Sequence, residues 1–355
     1  MSRFFSKKYS RLEAYTPGEQ PRERKYVKLN TNESPYPPSP DVIRAVAEES
    51  SRLNLYSDPE AALLTEKCAE LFGVKPREVL MTNGSDEILN FAFMAFSDSE
   101  HPIVFPDITY GFYPVFAELS GIPYEKIPLR EDFSIDVSDY VGIGKNIVIA
   151  NPNAPTGIAL PLSDIERIVA SNPDNVVIID EAYVDFGAES AVSLVHKYSN
   201  LIVTGTFSKS RSLAGARLGF GIADESLIRD MNTIKYSTNP YNVNRMTMAA
   251  GYQALVDNDY YMANCRRIIE VREYTSAALA SLGFEMTPSC ANFIFARCDS
   301  VGGEELYLEL KRRGVLIRHF NQERIKDYNR ITVGTKDEMD VLLSAVSEIL
   351  KEKSK

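Results

Sequence analysis

The sequence predicts an α/β protein whose larger unit is a mostly parallel sheet covered by helices on both faces. In the middle of the chain, short β-branched runs alternate with segments of helical spacing. Three of the runs, NIVIA (146–150), VVIID (176–180) and LIVTG (201–205), are almost continuously apolar, as is typical of strands buried on both faces. After about residue 239 longer helical stretches dominate, which indicates a smaller α+β domain. A length of 355 residues agrees with two domains of roughly 150 residues each.

The strands and helices of the larger unit follow from these patterns. The predicted strands are Ile103–Phe105, Asn146–Ala150, Val176–Asp180, Leu201–Thr204 and Gly219–Ala223. Leu162–Ala170 and Ala191–Tyr198 have the spacing and length of crossover helices. A further helix is predicted over Ile88–Phe96, after the polar segment TNGSDE (82–87).

The C-terminal part predicts a different order of elements. One long helical stretch is expected from Val243 to about Leu282, then a strand, a helix, two short strands and a final helix, at 292–297, 304–313, 315–319, 330–333 and from 336. The opening residues, to about Thr31, are expected to form a loop that lies across another part of the protein. We therefore divide the chain into an N-terminal segment (1–31), a large domain (32–240) and a small C-terminal domain (241–355).

Composition excludes several classes of function. The net charge is −10, from 39 Lys and Arg against 49 Asp and Glu, so the basic surface of a nucleic-acid-binding protein is not expected. The four cysteines and three histidines are scattered, without the spacing of metal ligands. The N-terminus lacks the apolar run of a secretory signal, although its Arg, Ser and Lys content leaves a transit peptide as an alternative. We expect a soluble cytoplasmic protein that uses no metal and binds neither nucleic acid nor a membrane.

Polar side chains follow the predicted strands at the edge where ligands of open α/β sheets bind. Asp180 closes VVIID and Tyr183 comes three residues later, whereas Lys209 follows LIVTGTFS and Arg217 comes eight residues after it. The chain has neither the Gly-x-Gly-x-x-Gly of dinucleotide sites nor a P-loop. Each of these residues alone has an ordinary structural explanation; their joint occurrence after successive strands favours a cofactor site.

A carboxylate, a phenol and a lysine at neighbouring strand ends suit pyridoxal phosphate. A lysine amine forms the Schiff base with the aldehyde, and a carboxylate keeps the ring nitrogen protonated. The phosphate needs hydrogen-bond donors, for which Arg217, Thr206, Ser208 and the backbone amides of Gly84, Ser85 and Asp86 are candidates. If so, the acidic side chains of Asp86 and Glu87 must point away from the phosphate.

Eight motifs carry a resemblance to a known family. They are LNTNESPYPPSP (29–40), LYSDPE (55–60), TNGSDE (82–87), PDITYGFY (106–113), NPNAPTG (151–157), DEAYVDF (180–186), TFSKSRSLAGARLGFG (206–221) and RITVGT (330–335). In these motifs the chain resembles the fold-type I pyridoxal-phosphate aminotransferases, specifically the histidinol-phosphate aminotransferase group. The resemblance implies a large domain with a mostly parallel seven-stranded sheet, a smaller α+β C-terminal domain and an N-terminal segment against the substrate site.

The resemblance also implies residue roles. Lys209 is the Schiff-base lysine and proton shuttle, Asp180 pairs with the pyridine nitrogen, and Tyr183 with the ring hydroxyl. Tyr110 stacks on the ring, and Tyr56 reaches the cofactor phosphate of a neighbouring subunit, which implies a homodimer with shared active sites. The residues that it implies for substrate binding are Arg330, Arg318 and Tyr15. The family's usual Asn before Pro-Thr-Gly is Ala154 here, so either Asn153 turns toward the cofactor or Tyr183 binds the ring hydroxyl largely alone.

The implied reaction is ping-pong transamination. The amino group passes from L-histidinol phosphate to 2-oxoglutarate, giving imidazole acetol phosphate and glutamate in histidine biosynthesis. Two alternatives on the same scaffold are aromatic amino acid transamination and decarboxylation of threonine phosphate. A third, a transcription regulator with a degenerate aminotransferase domain, is disfavoured because the cofactor residues are intact.

Overall fold

The structure is a computed structural model that describes residues 2–10, 12, 16–21 and 23–353. Its α-helices are α1 (Pro40–Ser50), α2 (Ala62–Phe72), α3 (Ser85–Phe96), α4 (Tyr113–Ser120), α5 (Leu162–Ser171), α6 (Glu225–Thr238), α7 (Arg245–Val256), α8 (Asn258–Ser281), α9 (Gly303–Arg312) and α10 (Lys336–Lys353). Its strands are β1 (Val27–Lys28), β2 (Val79–Thr82), β3 (Ile103–Pro106), β4 (Tyr124–Ile127), β5 (Asn146–Ala150), β6 (Val177–Asp180), β7 (Leu201–Thr206), β8 (Gly219–Ala223), β9 (Glu285–Met286), β10 (Phe293–Arg297), β11 (Val315–Leu316), β12 (Arg318–His319) and β13 (Tyr328–Thr332). None of the described helices is both long and apolar enough to span a bilayer.

Seven strands form the central sheet in the order β2-β8-β7-β6-β5-β3-β4. β8 runs antiparallel to both of its neighbours, and the other pairs are parallel. Alternate side chains of each central strand enter different cores: Ile147 and Ile149 pack on one face of the sheet, and Val148 and Ala150 on the other. Burial on both faces explains the almost continuous apolar runs of the sequence.

The smaller unit is built on the antiparallel sheet β12-β13-β10-β9. Its core combines residues of this sheet with α8, α9 and α10. The N-terminal segment lies against it: β1 pairs in parallel with β11, and the Arg24 guanidinium donates to the carbonyl oxygens of Lys311 and Arg312. Helix α7 packs with α1 and α2 against the core of the large sheet. The boundaries at 31/32 and 240/241 stay predictions.

Three sequence predictions were wrong in detail. Ala191–Tyr198 forms a 3₁₀ turn, Ala191–Leu194, rather than a crossover helix, because the Glu181 carboxylate accepts from Ser190 Oγ and Ala191 N at 2.6 Å and holds the segment beside the sheet. The stretch 243–282 is broken at Asp257, whose carboxylate accepts from the Ser39 hydroxyl. The segment 315–319 is two strands that belong to different sheets.

Four strands escaped prediction, among them the two-residue strand β9. The edge strand β4 exposes Glu125 and Lys126 and therefore lacks an apolar run. The sequence of β2, VLMT, is apolar, but its Leu and Met suit a helix equally well. The opening segment contains β1, which is too short to have a pattern of its own.

Candidate active site

A cavity of about 260 Å³ lies at the carboxyl edge of the central sheet. β6 and β7 run parallel and end there at Asp180 and Thr206, while α3 begins there with Ser85. Lys209 lies in the loop after β7 and lines the same cavity. A second cavity of about 330 Å³ shares part of this lining and extends toward the smaller sheet. The predicted residues in the first cavity are Ser85, Asp86, Tyr110, Asp180, Tyr183, Thr206, Ser208, Lys209 and Arg217.

Asp180 is a carboxylate held in the interior. It is 4% exposed, and its oxygens accept from Tyr113 Oη at 2.8 Å and Thr204 Oγ1 at 3.3 Å. Burial raises the pKa of the Asp180 carboxyl to about 6, against the opposing effect of these hydrogen bonds. A cationic partner in the cavity would offset the cost of ionising this group.

Lys209 and Tyr183 face each other across the cavity. The Lys209 ammonium nitrogen lies 5.8 Å from the centre of the Tyr183 ring and donates to the carbonyl oxygen of Thr31 at 3.2 Å. The Tyr183 hydroxyl accepts from Asn32 Nδ2 at 2.9 Å, and the ring packs edge-on against Phe293. The amine and the phenol are therefore held at the junction of the two cavities.

The other end of the first cavity is suited to an anion. Thr206 Oγ1 donates to Ser208 Oγ at 3.0 Å, and the Arg217 guanidinium lies 3.5 Å from the same Ser208 oxygen. Gly84, with φ +86°, precedes α3, and a Cβ there would lie 2.7 Å from an Arg217 nitrogen. The glycine thus lets the guanidinium approach the start of the helix, whose free amide groups favour negative charge.

The two acidic residues of the first turn of α3 behave differently. Glu87 points away, as predicted, and accepts from Asn83 N and Asn242 Nδ2. For Asp86 the prediction was wrong: its side chain lines the cavity and accepts from Arg217 at 3.1 Å and from Tyr110 Oη at 2.7 Å. The positive charge of Arg217 makes this position favourable for a carboxylate.

Asn153 is not among the described residues that line either cavity. Its Nδ2 donates to the Ile108 carbonyl oxygen at 2.9 Å and to Thr156 Oγ1 at 3.0 Å, and its Oδ1 accepts from Thr109 Oγ1 at 2.8 Å. The methyl group of Ala154, by contrast, lines both cavities. Of the two possibilities that the sequence left open, this arrangement disfavours an Asn153 that turns inward.

The second cavity contains two arginines. Arg318 and Arg330 are direct partners in the antiparallel register of β12 and β13, so their side chains emerge next to each other. Arg330 donates to the Asn30 carbonyl oxygen at 3.0 Å, and both guanidinium groups lie within 6 Å of the Phe320 ring centre. Two neighbouring guanidinium groups make this cavity suitable for an anionic substrate.

Comparison with known proteins agrees with this geometry. The family described as "Aminotransferase class I and II" matches residues 24–346. Histidinol-phosphate aminotransferases of Brachyspira hyodysenteriae and Aromatoleum aromaticum are 48% and 49% identical; each match covers 99% of this chain and 100% of the relative. The chain belongs to the class I and II aminotransferases. The resemblance of the motifs is therefore confirmed.

The fold expected of this aminotransferase is confirmed as well. The structure of histidinol-phosphate aminotransferase from Sinorhizobium meliloti, in complex with pyridoxal-5'-phosphate, matches with a TM-score of 0.86 at 24% identity and covers 93% of this chain and 92% of that chain. The mostly parallel seven-stranded sheet and the smaller antiparallel sheet are those predicted for the fold-type I scaffold.

The lining of the two cavities does not test the roles predicted for Tyr56 and Tyr15 of the aminotransferase. Tyr56 lines neither cavity among the described residues; it is 81% exposed and stacks on Tyr241 with ring centres 4.7 Å apart. Tyr15 lies outside the described residues. The shared-site role of Tyr56 and the substrate role of Tyr15 stay predictions.

Sequence reasoning assigned no role to several residues that contact the site, among them Thr31, Asn32, Glu33 and Tyr113. Thr31, Asn32 and Glu33 belong to the LNTNESPYPPSP motif and Tyr113 to PDITYGFY, but neither motif assigned them a role. Glu33 lines the first cavity and accepts from Thr31 Oγ1 at 2.6 Å and from Lys28 Nζ at 2.7 Å. Their place within two motifs of the family was the available signal, and it did not indicate which atoms would meet.

Proposed function

We propose that this aminotransferase uses pyridoxal phosphate to transfer the amino group of L-histidinol phosphate to 2-oxoglutarate, in histidine biosynthesis. The observation that carries the proposal is the convergence of Asp180, Tyr183, Lys209 and Arg217 on one cavity. The name of the full-length relatives supports the choice of donor.

The cavity fits the cofactor at both ends. Asp180 is a buried carboxylate whose pKa is raised to about 6, which suits a pyridinium nitrogen as partner. Ser85, Thr206, Ser208 and Arg217 supply hydroxyls and a guanidinium suited to a phosphate group. The bound cofactor supplies an electron sink for the carbanion formed at the substrate α-carbon.

Side chains of the protein supply the attachment point, the base and the substrate contacts. Lys209 Nζ is the proposed attachment point for the aldehyde and the base that takes the α-proton of the amino donor. The Tyr183 hydroxyl, 2.9 Å from the Asn32 amide, is the proposed donor to the ring hydroxyl. Arg318 and Arg330 orient the donor by its anionic group, because guanidinium groups bind phosphate and carboxylate bidentately.

A half-reaction screen tests the proposal. The yellow protein loaded with pyridoxal phosphate is mixed with histidinol phosphate, phenylalanine, tyrosine or threonine phosphate, and bleaching of the absorption band is followed. We expect histidinol phosphate to react at least about ten-fold faster than the others, because its phosphate and imidazole both contribute to selectivity. Faster conversion by phenylalanine would assign the enzyme to aromatic amino acids, and carbon dioxide release from threonine phosphate would select the decarboxylase.

Two arginine variants accompany this screen: one tests the substrate role of Arg330 and the other is its matched control. In Arg330→Ala, KM for histidinol phosphate should rise by about a hundred-fold, since hydrogen bonds to charged groups are worth about 1.5–3 kcal/mol each, while cofactor retention stays unchanged. Arg312→Ala removes an exposed arginine that pairs with Glu309 and should leave both quantities as they are. Equal losses of substrate and cofactor binding in Arg330→Ala would indicate a structural arginine.

We further propose a cytoplasmic homodimer in which Tyr56 completes the partner's site. Three leucines close to this exposed tyrosine in the sequence, Leu53, Leu55 and Leu63, are each more than half exposed, and exposed apolar side chains are typical of subunit contacts. A mixture of Lys209→Ala and Tyr56→Ala chains forms heterodimers with one intact site, so it should recover activity at limiting cofactor. No recovery in a dimer of verified mass would contradict shared sites. The four free cysteines agree with a reducing compartment.

A further inference from the structure

Asn32 is a buried amide in direct contact with the proposed catalytic phenol. Its Nδ2 donates to Tyr183 Oη at 2.9 Å, the residue is 1% exposed, and it lines the second cavity together with Tyr183 and Ala154. A side chain placed so close to the reacting groups affects the hydrogen bonding of that phenol.

The orientation of the amide is fixed by Thr332. The backbone N–H of Asn32 donates to Thr332 Oγ1 at 2.9 Å, and the same hydroxyl donates its single proton to Asn32 Oδ1 at 3.0 Å. The amide nitrogen therefore faces the phenol. Asn292 Nδ2 also donates to the Asn32 carbonyl oxygen at 3.0 Å, and φ of Asn32 is +56°, a left-handed conformation that asparagine tolerates. The residue is held rigidly as a donor.

Asn32 lines the same cavity as Ala154, the position where the family's usual asparagine is missing. The methyl group of Ala154 has no donor to offer, and Asn153 is engaged with Ile108, Thr109 and Thr156. The amide donor nearest the phenol thus comes from the N-terminal part of the chain rather than from the NPNAPTG loop.

We infer that Asn32 compensates for Ala154 by donating to the Tyr183 phenol oxygen and so strengthening that phenol as a donor toward the cofactor ring oxygen. A hydroxyl that accepts a hydrogen bond becomes a stronger donor through mutual polarisation. The inference rests on the proposed use of pyridoxal phosphate. Asn32 acts through Tyr183 and is a positioning residue.

The variant that tests this is Asn32→Asp in the protein loaded with pyridoxal phosphate. Asp keeps the shape and the acceptor for Thr332, but its ionised carboxylate cannot donate to the phenol. A donor directed at the ring oxygen lowers the pH at which the yellow, protonated form of the loaded protein loses its proton. Loss of the donor should therefore raise this midpoint by about 0.5–1 unit, if the hydrogen bond is worth about 0.5–1.5 kcal/mol.

The readout is the absorbance spectrum against pH, which a purely structural role would not shift. The other titratable and charged groups around the phenol are unchanged between variants; they are Glu33, Asp86, Tyr110, Asp180, Lys209, Arg217, Arg318 and Arg330. Asn32→Asp also adds a negative charge beside the phenol, so the shift in Asn32→Gly is the one that isolates the amide. Asn32→Gly removes the donor without adding charge, tolerates the left-handed backbone and provides the same measurement if the Asp variant fails to fold.

The decisive control adds Ala154→Asn, which restores the family's usual amide. In the Asn32→Gly background it should return the midpoint to within about 0.3 unit of the wild type, while Thr332→Val, which removes a partner of Asn32 but not its amide, should move it less than Asn32→Gly does. An unchanged midpoint in Asn32→Asp and Asn32→Gly, or no restoration by Ala154→Asn, overturns the inference. A wild-type protein without any yellow band would instead overturn the proposed function.

Discussion

Replacement of Lys209 by alanine is expected to lower turnover by at least about ten-thousand-fold, the largest effect of any single change in this protein. The variant loses both the nucleophile that attaches the cofactor and the base that takes the α-proton, and a general base alone contributes about 10²–10⁴-fold. Steady-state turnover and the yellow absorption band, measured on the same preparation, check this result.

Reductive trapping gives a second readout that does not depend on activity. Borohydride treatment of the loaded wild type, followed by peptide mass spectrometry, should place the pyridoxyl group on the peptide that contains Lys209. Lys197→Ala is the matched control, because this exposed lysine pairs with Glu166 away from the cavity. A pyridoxyl group on another lysine, or a Lys209→Ala variant with full turnover, would remove Lys209 from the proposed role.

Asp180→Asn is expected to lower turnover and cofactor affinity by about a hundred-fold to a thousand-fold. The substitution leaves a pyridinium nitrogen without its buried counter-charge, and removing one partner of a buried ion pair costs about 3–5 kcal/mol. Asp174→Asn is the matched control: Asp174 is exposed and lies just before β6, at the opposite end of the strand that Asp180 closes. Equilibrium dialysis with pyridoxal phosphate measures the affinity.

In the cofactor-free protein, where no cation pairs with it, the ionised Asp180 carboxylate should destabilise the fold. The pKa of the Asp180 carboxyl is about 6 in the folded protein, above its ordinary value of 3.8, so the ionised group opposes folding above pH 6. This penalty disappears as the pH falls from 6 toward 4. Asn carries no charge, so the free energy of unfolding of Asp180→Asn relative to wild type should be higher at pH 7.5 than at pH 4.5, by about 2 kcal/mol.

Urea unfolding of both cofactor-free proteins at the two pH values checks this sign. The titration of Glu181, whose pKa burial raises to about 8, occurs in both proteins and therefore largely cancels in the comparison. A stability difference that does not depend on pH would mean that the pKa of the Asp180 carboxyl is the same in the folded and unfolded protein, so that burial does not raise it.

The accuracy of the sequence predictions depended on how local the deciding interactions are. The strands β5, β6 and β7 were predicted within one or two residues because burial on both faces forces an apolar, β-branched run. The edge strand β4 has no such constraint, since two of its four residues face solvent. The 3₁₀ turn after Glu181 escaped prediction because a buried carboxylate ten residues away holds it.

The site residues also divide into those that a local pattern predicts and those that a distant contact places. Asp180, Tyr183, Lys209 and Arg217 carry distinctive side chains at strand ends, and their order along the chain is sufficient to predict a cofactor. Thr31 contacts Lys209 through its backbone carbonyl oxygen, a group that every residue possesses, so no motif could identify it. Asp86 faces the cavity because Arg217, 131 residues away, neutralises it.

The sequence by itself determined the chemistry of this protein: the alternation of strands and helices, the amine, acid and phenol, and the motifs through which the chain resembles its family. These are properties of residue type, short-range periodicity and local motif. The tertiary structure alone decided which groups meet. The pairing of Arg318 with Arg330 depends on strand register, and the contact of Asn32 with Tyr183 joins positions 151 residues apart. Such contacts follow from how two packed units close around a cavity, which no local pattern encodes.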